Sequence, residues 1–254
     1  MSDPRAIALR AIGLLDLTNL EAECTDEDVD ALCDAAFTPH GSVAAICIWP
    51  RFVSRARERL KGTDVRIATV AAFPGGGEPV DDVVADARRA AFDGAHEIDL
   101  VLDYHALAEG ENERVFQTVS AVKDALPDGT LLKVILETGV LQVSELIRIA
   151  SVGALKSGAD FIKTSTGKVP VNATPDAAQI MIDAIHDVKP EAGFKAAGGI
   201  RTVEDAATYL AIADRVMGPD WASAKTFRFG ASSLMKNLVA TVEGTENATE
   251  SGSY

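Results

Sequence analysis

Short apolar runs alternate with longer amphipathic stretches along almost the whole chain. Eight runs have β-type composition: Leu14–Thr18, Val43–Ile48, Val65–Ala71, Glu97–Leu102, Leu131–Leu136, Asp160–Ser165, Gly193–Ala197 and Thr226–Gly230. Helical patterns with readable starts lie between them. Thr25-Asp-Glu-Asp28 has the form of a capping box, and Thr174 precedes a proline suited to the first helical position. Thr202-Val-Glu-Asp205 sets acids in a first turn, where the helix dipole favours them. Strands alternating with helices predict parallel pairing, and eight such units predict a closed (β/α)8 TIM barrel, an α/β fold, over an open doubly wound sheet. A short helix is expected before the first strand. No linker divides residues 1–254, so a single domain is expected, with Glu243 to Tyr254 as a mobile polar tail.

Because side chains alternate along a strand, each run also predicts what points into the barrel. Leu132, Val134 and Leu136 form an apolar set for the outer helices, which turns Lys133 inward. Ile98, Leu100 and Leu102 turn Asp99 inward by the same logic. Leu15 and Leu17 do so for Asp16 and Thr18, and Ala44, Ile46 and Ile48 for Cys47. Lys163 and Lys195 sit in the middle of their own runs. Barrel interiors are normally filled with branched apolar residues. An interior holding three lysines and two aspartates is costly, because buried charges must be paired or neutralised.

That cost points to chemistry. Burial disfavours an ammonium, and a second cation nearby disfavours it further, which leaves a nucleophilic amine fit for Schiff-base formation. Lys163 is the candidate nucleophile; the plain alternative is a strand-end lysine reaching to solvent. Lys195, on the next strand, is the candidate activator; the alternative is a structural ion pair. A second ammonium about 4 Å away is worth about 4 kcal/mol at an effective dielectric of about 20. Asp99 is the candidate acid/base, a role compatible with serving as counter-ion to Lys133 or Lys195. Asp16, Thr18, Cys47 and Lys133, facing the same interior, are expected to contact substrate. Three glycine-rich turns follow late strands: Thr166-Gly167-Lys168, Gly198-Gly199-Ile200-Arg201 and Gly230-Ala231-Ser232-Ser233. Barrel enzymes bind phosphate in such loops, which makes Thr166, Gly167, Lys168, Gly198, Gly199, Gly230, Ser232 and Ser233 candidate substrate ligands. Phe73-Pro-Gly-Gly-Gly77 reads as a plain turn.

These segments resemble the deoxyribose-phosphate aldolase family of class I aldolases over nearly the whole chain. The resemblance is carried by Leu15-Asp-Leu-Thr18, Ala44-Ala-Ile-Cys-Ile48 with Pro50-Arg-Phe52, and Arg66-Ile-Ala-Thr-Val70 leading to Phe73-Pro74. Leu131-Leu-Lys-Val-Ile135 with Glu137-Thr-Gly139 follows. Ala159-Asp-Phe-Ile-Lys-Thr-Ser-Thr-Gly-Lys168 is its most specific part; Lys195 with Gly198-Gly199, and Phe229-Gly-Ala-Ser-Ser233, complete it. The resemblance implies reversible cleavage of 2-deoxy-D-ribose 5-phosphate to D-glyceraldehyde 3-phosphate and acetaldehyde. It implies Lys163 as the Schiff-base lysine, Lys195 as its electrostatic activator and Asp99 as proton shuttle. It extends to the terminal Tyr254, a candidate proton relay on its tether. The chain departs from the family at Ala196, where proline is frequent, and at Trp49, where tyrosine is expected. Two rival readings are an isomerase or another lysine aldolase on the same barrel, and a non-catalytic sugar-phosphate sensor. An isomerase does not require the interior lysine pair with Asp99, and a sensor would be expected to lack Lys163 or Asp99, both of which are present.

Bulk properties narrow the partners. The formal net charge is −14 and the sequence pI about 4.7, so nucleic acid and anionic membrane surfaces are not expected partners. An anionic substrate would need positive potential supplied locally. Three cysteines without paired spacing suit a reducing compartment, so cytoplasm is expected and the Asn172-Ala-Thr174 and Asn247-Ala-Thr249 glycosylation matches carry no weight. His40, His96, His105 and His186 are scattered, with no zinc spacing, so neither metal nor cofactor is expected. The expected partners are a small phosphorylated sugar and short aldehydes. A homodimer is one compatible assembly.

Overall fold

Eight parallel strands hydrogen-bond in chain order, and the last pairs with the first to close a barrel, as the alternation predicted. They are β1 (Leu15–Asn19), β2 (Ala45–Ile48), β3 (Arg66–Ala71), β4 (Glu97–Val101), β5 (Leu131–Ile135), β6 (Phe161–Lys163), β7 (Gly193–Ala197) and β8 (Phe227–Ala231). The computed structural model describes residues 3–245. Tyr254 and most of the expected tail lie outside them. Glu243, taken as the start of that tail, is instead the last residue of a helix, Leu234–Glu243, closed by Gly244 in the left-handed region. Among the described residues, no helix is long and apolar enough to cross a membrane.

The helices begin where their caps predicted. Thr25 and Asp28 form the reciprocal capping box of helix Asp26–Ala35, and Thr202 with Asp205 forms that of helix Val203–Met217. Thr174 accepts from the Ala177 N–H, with Pro175 opening helix Pro175–Val188. That helix buries Ala177, Ala178, Met181, Ile182, Ala184 and Ile185, a helical spacing that lays one apolar face on the barrel wall. The expected helix before β1 is Pro4–Ile12. A small antiparallel ribbon, Phe37–Thr38 against Gly41–Ser42, was not foreseen; two residues per strand leave no periodicity to read.

Strand register decides what enters the barrel. Phe194 pairs with Phe227, and their rings pack 5.6 Å apart in the outer core together with Phe229. The residues between them, Lys195 and Arg228, are thereby turned inward as register partners. Lys163 is in turn the partner of Lys195, so three cations lie side by side on β6, β7 and β8. Gly193 makes room on the inner face: a Cβ there would stand 2.2 Å from the Phe161 ring. β6 is shorter than its run suggested and ends at Lys163, correcting the expectation that this residue lies mid-strand. It is nonetheless buried, because the backbone stays extended, with Thr164 N–H donating to Lys195 O at 3.0 Å.

Candidate active site

Seven ionisable side chains meet inside the barrel, each buried to within a few per cent of completely. Asp99 on β4 is the hub. Its Oδ2 accepts from Lys163 Nζ at 2.9 Å and from Lys195 Nζ at 2.8 Å, and its Oδ1 from Lys133 Nζ at 2.7 Å. Lys195 also donates to Asp16 Oδ2 at 2.6 Å. Lys133 also pairs with Glu97 Oε2 at 2.6 Å. Arg228 closes the ring, donating to Asp16 Oδ1 at 2.5 Å and to Glu97 Oε1 at 2.8 Å. Strands β1, β4, β5, β6, β7 and β8 each contribute, so the cluster exists only in the closed barrel.

Four cations here face three carboxylates, which leaves one positive charge in excess within a dry interior. A charge so placed is relieved by losing a proton, and the lysine with the least carboxylate support releases it first. Lys133, Lys195 and Arg228 each hold two carboxylates within 3.2 Å; among the described residues Lys163 holds one, shared with Lys195. Burial pushes the Lys163 ammonium below the ordinary lysine range; Asp99 pulls it back in part, and Lys195 pushes it further down. Burial acts on Lys195 and Lys133 as well. There the carboxylates outweigh it, Asp16 and Asp99 for Lys195, Asp99 and Glu97 for Lys133, and both stay above the usual value. Burial would raise the Asp99 carboxyl, but Lys133, Lys163 and Lys195 together hold it well below the usual carboxylate range. Lys163 is therefore the cation of this interior that gives up its proton most readily. Desolvation, more than the neighbouring cation, is the main cause, which reorders the two effects weighed from the sequence.

Above this layer a cleft of about 700 Å³ opens at the carboxyl ends of the strands. Thr18, Thr166, Gly167, Lys168, Gly198, Gly199, Gly230, Ser232 and Ser233 line it, together with Lys163. Lys163 is the network member among them, so the most readily deprotonated lysine is the one that meets the cleft. Gly198 and Gly199 both take positive φ, at 80° and 82°, a turn that glycine makes without strain. Gly230 has a second reason to be glycine: a Cβ there would stand 2.9 Å from Lys195 Cε. Ser233 precedes helix Leu234–Glu243 without capping it through its side chain, so the first N–H groups of that helix remain open to an anion.

Asp16, Cys47 and Lys133 were expected to contact substrate, and the structure corrects their placing. They lie beneath the cleft, with no exposed surface. Alternation turned them inward correctly, but strand position sets depth, and all three sit below the mouth. Asp16 and Lys133 are occupied as counter-ions. Cys47 packs with Leu20, Ala68 and Val70, and its burial pushes the thiol above its usual range.

Four residues were missed, three of them buried. Glu97 and Arg228 complete the charge network, and the alternation that placed Asp99 inward would have placed Glu97 two residues before it. Phe227 and Phe229 likewise flank Arg228 as an apolar set. The third is Glu137, in the left-handed region at φ 54°. Its buried carboxylate accepts from Thr166 Oγ1 at 2.5 Å, tying the end of β5 to the loop after β6. Burial raises its carboxyl above the usual range, against the Thr166 hydrogen bonds. Nothing in its own sequence neighbourhood signalled that contact. Arg201, also at the cleft, is a further cation outside the expected set.

A parallel barrel with a buried lysine at the carboxyl end of a strand, opening on a cleft and resting on a buried carboxylate, fits one class: a lysine-dependent aldolase. Residues 10–238 match the family model described as DeoC/LacD family aldolase. A deoxyribose-phosphate aldolase of Agrobacterium fabrum is 50% identical over 252 residues, covering 99% of this chain and 97% of the relative. Among solved structures, a putative deoxyribose-phosphate aldolase from Coccidioides immitis superposes with TM-score 0.82 at 34% identity, covering 92% of this chain and 86% of that one. The apo form of one from Toxoplasma gondii does so with TM-score 0.86 at 26% identity, over 96% and 98% of the two chains. The chain belongs to the DeoC/LacD aldolase family.

Proposed function

We propose that the protein reversibly cleaves 2-deoxy-D-ribose 5-phosphate to D-glyceraldehyde 3-phosphate and acetaldehyde through a Schiff base on Lys163. The observation that carries this reading is the position of Lys163: the least-supported ammonium of the network is also the one open to the cleft. Its free amine adds to the aldehyde carbon of the open-chain sugar. The carbinolamine loses water to give a protonated imine, an electron sink for the next bond broken. The hydroxyl on the second carbon beyond the imine then gives up its proton. The carbon–carbon bond beside it breaks, glyceraldehyde 3-phosphate leaves, and an enamine of acetaldehyde remains. Protonation of the enamine carbon and hydrolysis of the imine release acetaldehyde and restore the amine. Asp99, in contact with both Lys163 and Lys195, is placed to pass protons through a bound water in these steps. Lys195 keeps its charge and so adds to the desolvation that lowers Lys163.

The phosphate of the substrate fits the far side of the cleft. Gly198, Gly199, Ser232, Ser233 and the open helix N-terminus offer N–H and hydroxyl donors there, with Lys168 and Arg201 at the rim. In a protein of net charge −14 these groups supply the local positive potential a phosphate needs. Borohydride reduction in the presence of acetaldehyde tests the central claim. Mass mapping should place the adduct on Lys163, and Lys163→Met should lose turnover by about 10⁴-fold or more. An adduct confined to Lys195 or Lys133 would reassign the nucleophile.

A further inference from the structure

The floor of the barrel holds an ion pair that the proposed chemistry does not use. Glu97 and Arg228 have no surface on the cleft and touch no group that meets substrate directly. They cost the fold the desolvation of two charges, where a hydrophobic pair of similar volume would fill the space. Phe161, stacked 5.7 Å from the Arg228 guanidinium, shows that such packing is available at this depth. The pair is also wired to the site. Glu97 reaches Lys163 through Lys133 and Asp99, and Arg228 reaches it through Asp16, Lys195 and Asp99, each link shorter than 3 Å.

We propose that Glu97 and Arg228 are positioning residues that set, from the floor of the barrel, how much of Lys163 is free amine. The physical basis is the charge count. In a dry cluster of four cations and three carboxylates, the excess proton is shed at Lys163. Removing a carboxylate at the floor deepens the excess, and removing a cation abolishes it. Within a low-dielectric cluster such a change is felt beyond the nearest neighbour. Lys163 itself faces Asp99 from β4, Lys195 from β7, the Cys47 thiol from β2 and the Glu137 carboxyl at the end of β5. Those four groups stay in place when the floor is altered. Arg66 also approaches Glu97, at 3.8 Å, but its side chain is 43% exposed and water screens it, so it stands outside the count.

This inference rests on Lys163 being the Schiff-base lysine, and one experiment keeps the two apart. The rate of borohydride-trapped acetaldehyde adduct at Lys163 is followed against pH in four variants and the parent. Glu97→Gln should move the midpoint to lower pH, and Arg228→Gln to higher pH, each by about one unit. The double variant restores the excess of one charge and should return the midpoint to the parent value. Arg228→Lys should keep the parent midpoint even if turnover falls. Should Arg228→Gln fail to fold, the Glu97→Gln shift and the Arg228→Lys midpoint decide the matter. Unchanged midpoints, or both single variants moving the same way, would overturn the proposal, as would a compensating proton loss at Lys133 in place of Lys163. Absence of any Lys163 adduct in the parent would instead remove the functional reading beneath it.

Discussion

The interior and the mouth of the barrel handle charge by opposite means. Inside, seven ionisable side chains satisfy one another directly, with almost no surface exposed. At the mouth, in the proposed phosphate site, backbone N–H groups and serine hydroxyls from glycine turns line the cleft, and the cations present stand in reach of solvent. Strand register places the interior groups, so Lys163 and Lys195 cannot drift apart without breaking the β6–β7 ladder. Turn geometry places the mouth groups, and a turn can yield by tenths of an ångström. A shifted proton needs exact neighbours and is built on strands; recognition of an anion tolerates give and is built on loops.

The largest break in this contrast is expected from Lys195→Met. Loss of the second cation raises Lys163 towards the ordinary lysine range, and each unit gained lowers the free-amine fraction at neutral pH about tenfold. Turnover at pH 7 should fall by about 10²-fold, and the rate profile should move to higher pH. Lys195→Arg should retain part of the activity. An unmoved profile in the Met variant would strip Lys195 of its electrostatic role.

Acid should dismantle the interior and spare the mouth. Asp16, Glu97 and Asp99 are all held below their ordinary carboxylate values, with the neighbouring cations outweighing burial. A group with a depressed folded-state value stabilises the fold above its unfolded value and loses that contribution as pH falls through the folded one. Urea midpoints should therefore hold near neutral pH and drop steadily below about pH 4. A flat series would mean the network adds nothing to stability. At the mouth, Gly199→Ala puts a side chain at φ 82°, at a cost of about 1–2 kcal/mol. KM for the phosphorylated sugar should rise about tenfold or less, while the slow reaction of unphosphorylated deoxyribose stays the same. Equal losses on both sugars would place Gly199 outside phosphate binding. The smallest effect is the control that touches neither region: Thr25→Ala removes a cap worth about 1 kcal/mol from thermal stability and leaves the kinetics unchanged.

The same contrast explains what was legible in the chain itself. Barrel, strand count and caps could be read because periodicity and capping are local. Lys163, Lys195 and Asp99 could be read because a charge flanked by apolar residues on a strand stands out. Asp16, Cys47 and Lys133 were turned the right way but set at the wrong depth. Alternation gives the face of a strand and says nothing of height along the barrel axis. Glu97 and Arg228 obey the same pattern and were passed over because they lie near the starts of their strands, away from the glycine turns. Glu137 was illegible for another reason. Its partner, Thr166, comes from the next strand's loop, and its left-handed backbone is a tertiary outcome.

The contact between Asp16 and Arg228 joins the first strand to the last across 212 positions of sequence. It is the seam of the barrel, and its residues carry charge. While the final strand is undocked, Asp16 and Glu97 keep Lys195 and Lys133 but lack the guanidinium hydrogen bonds, and the count stands at three cations against three carboxylates. Catalytic competence then becomes a reporter of assembly. A chain clipped before β8 could keep most of its helices and strands, yet its Lys163 would sit in a different charge count and lose the proton balance on which its chemistry depends.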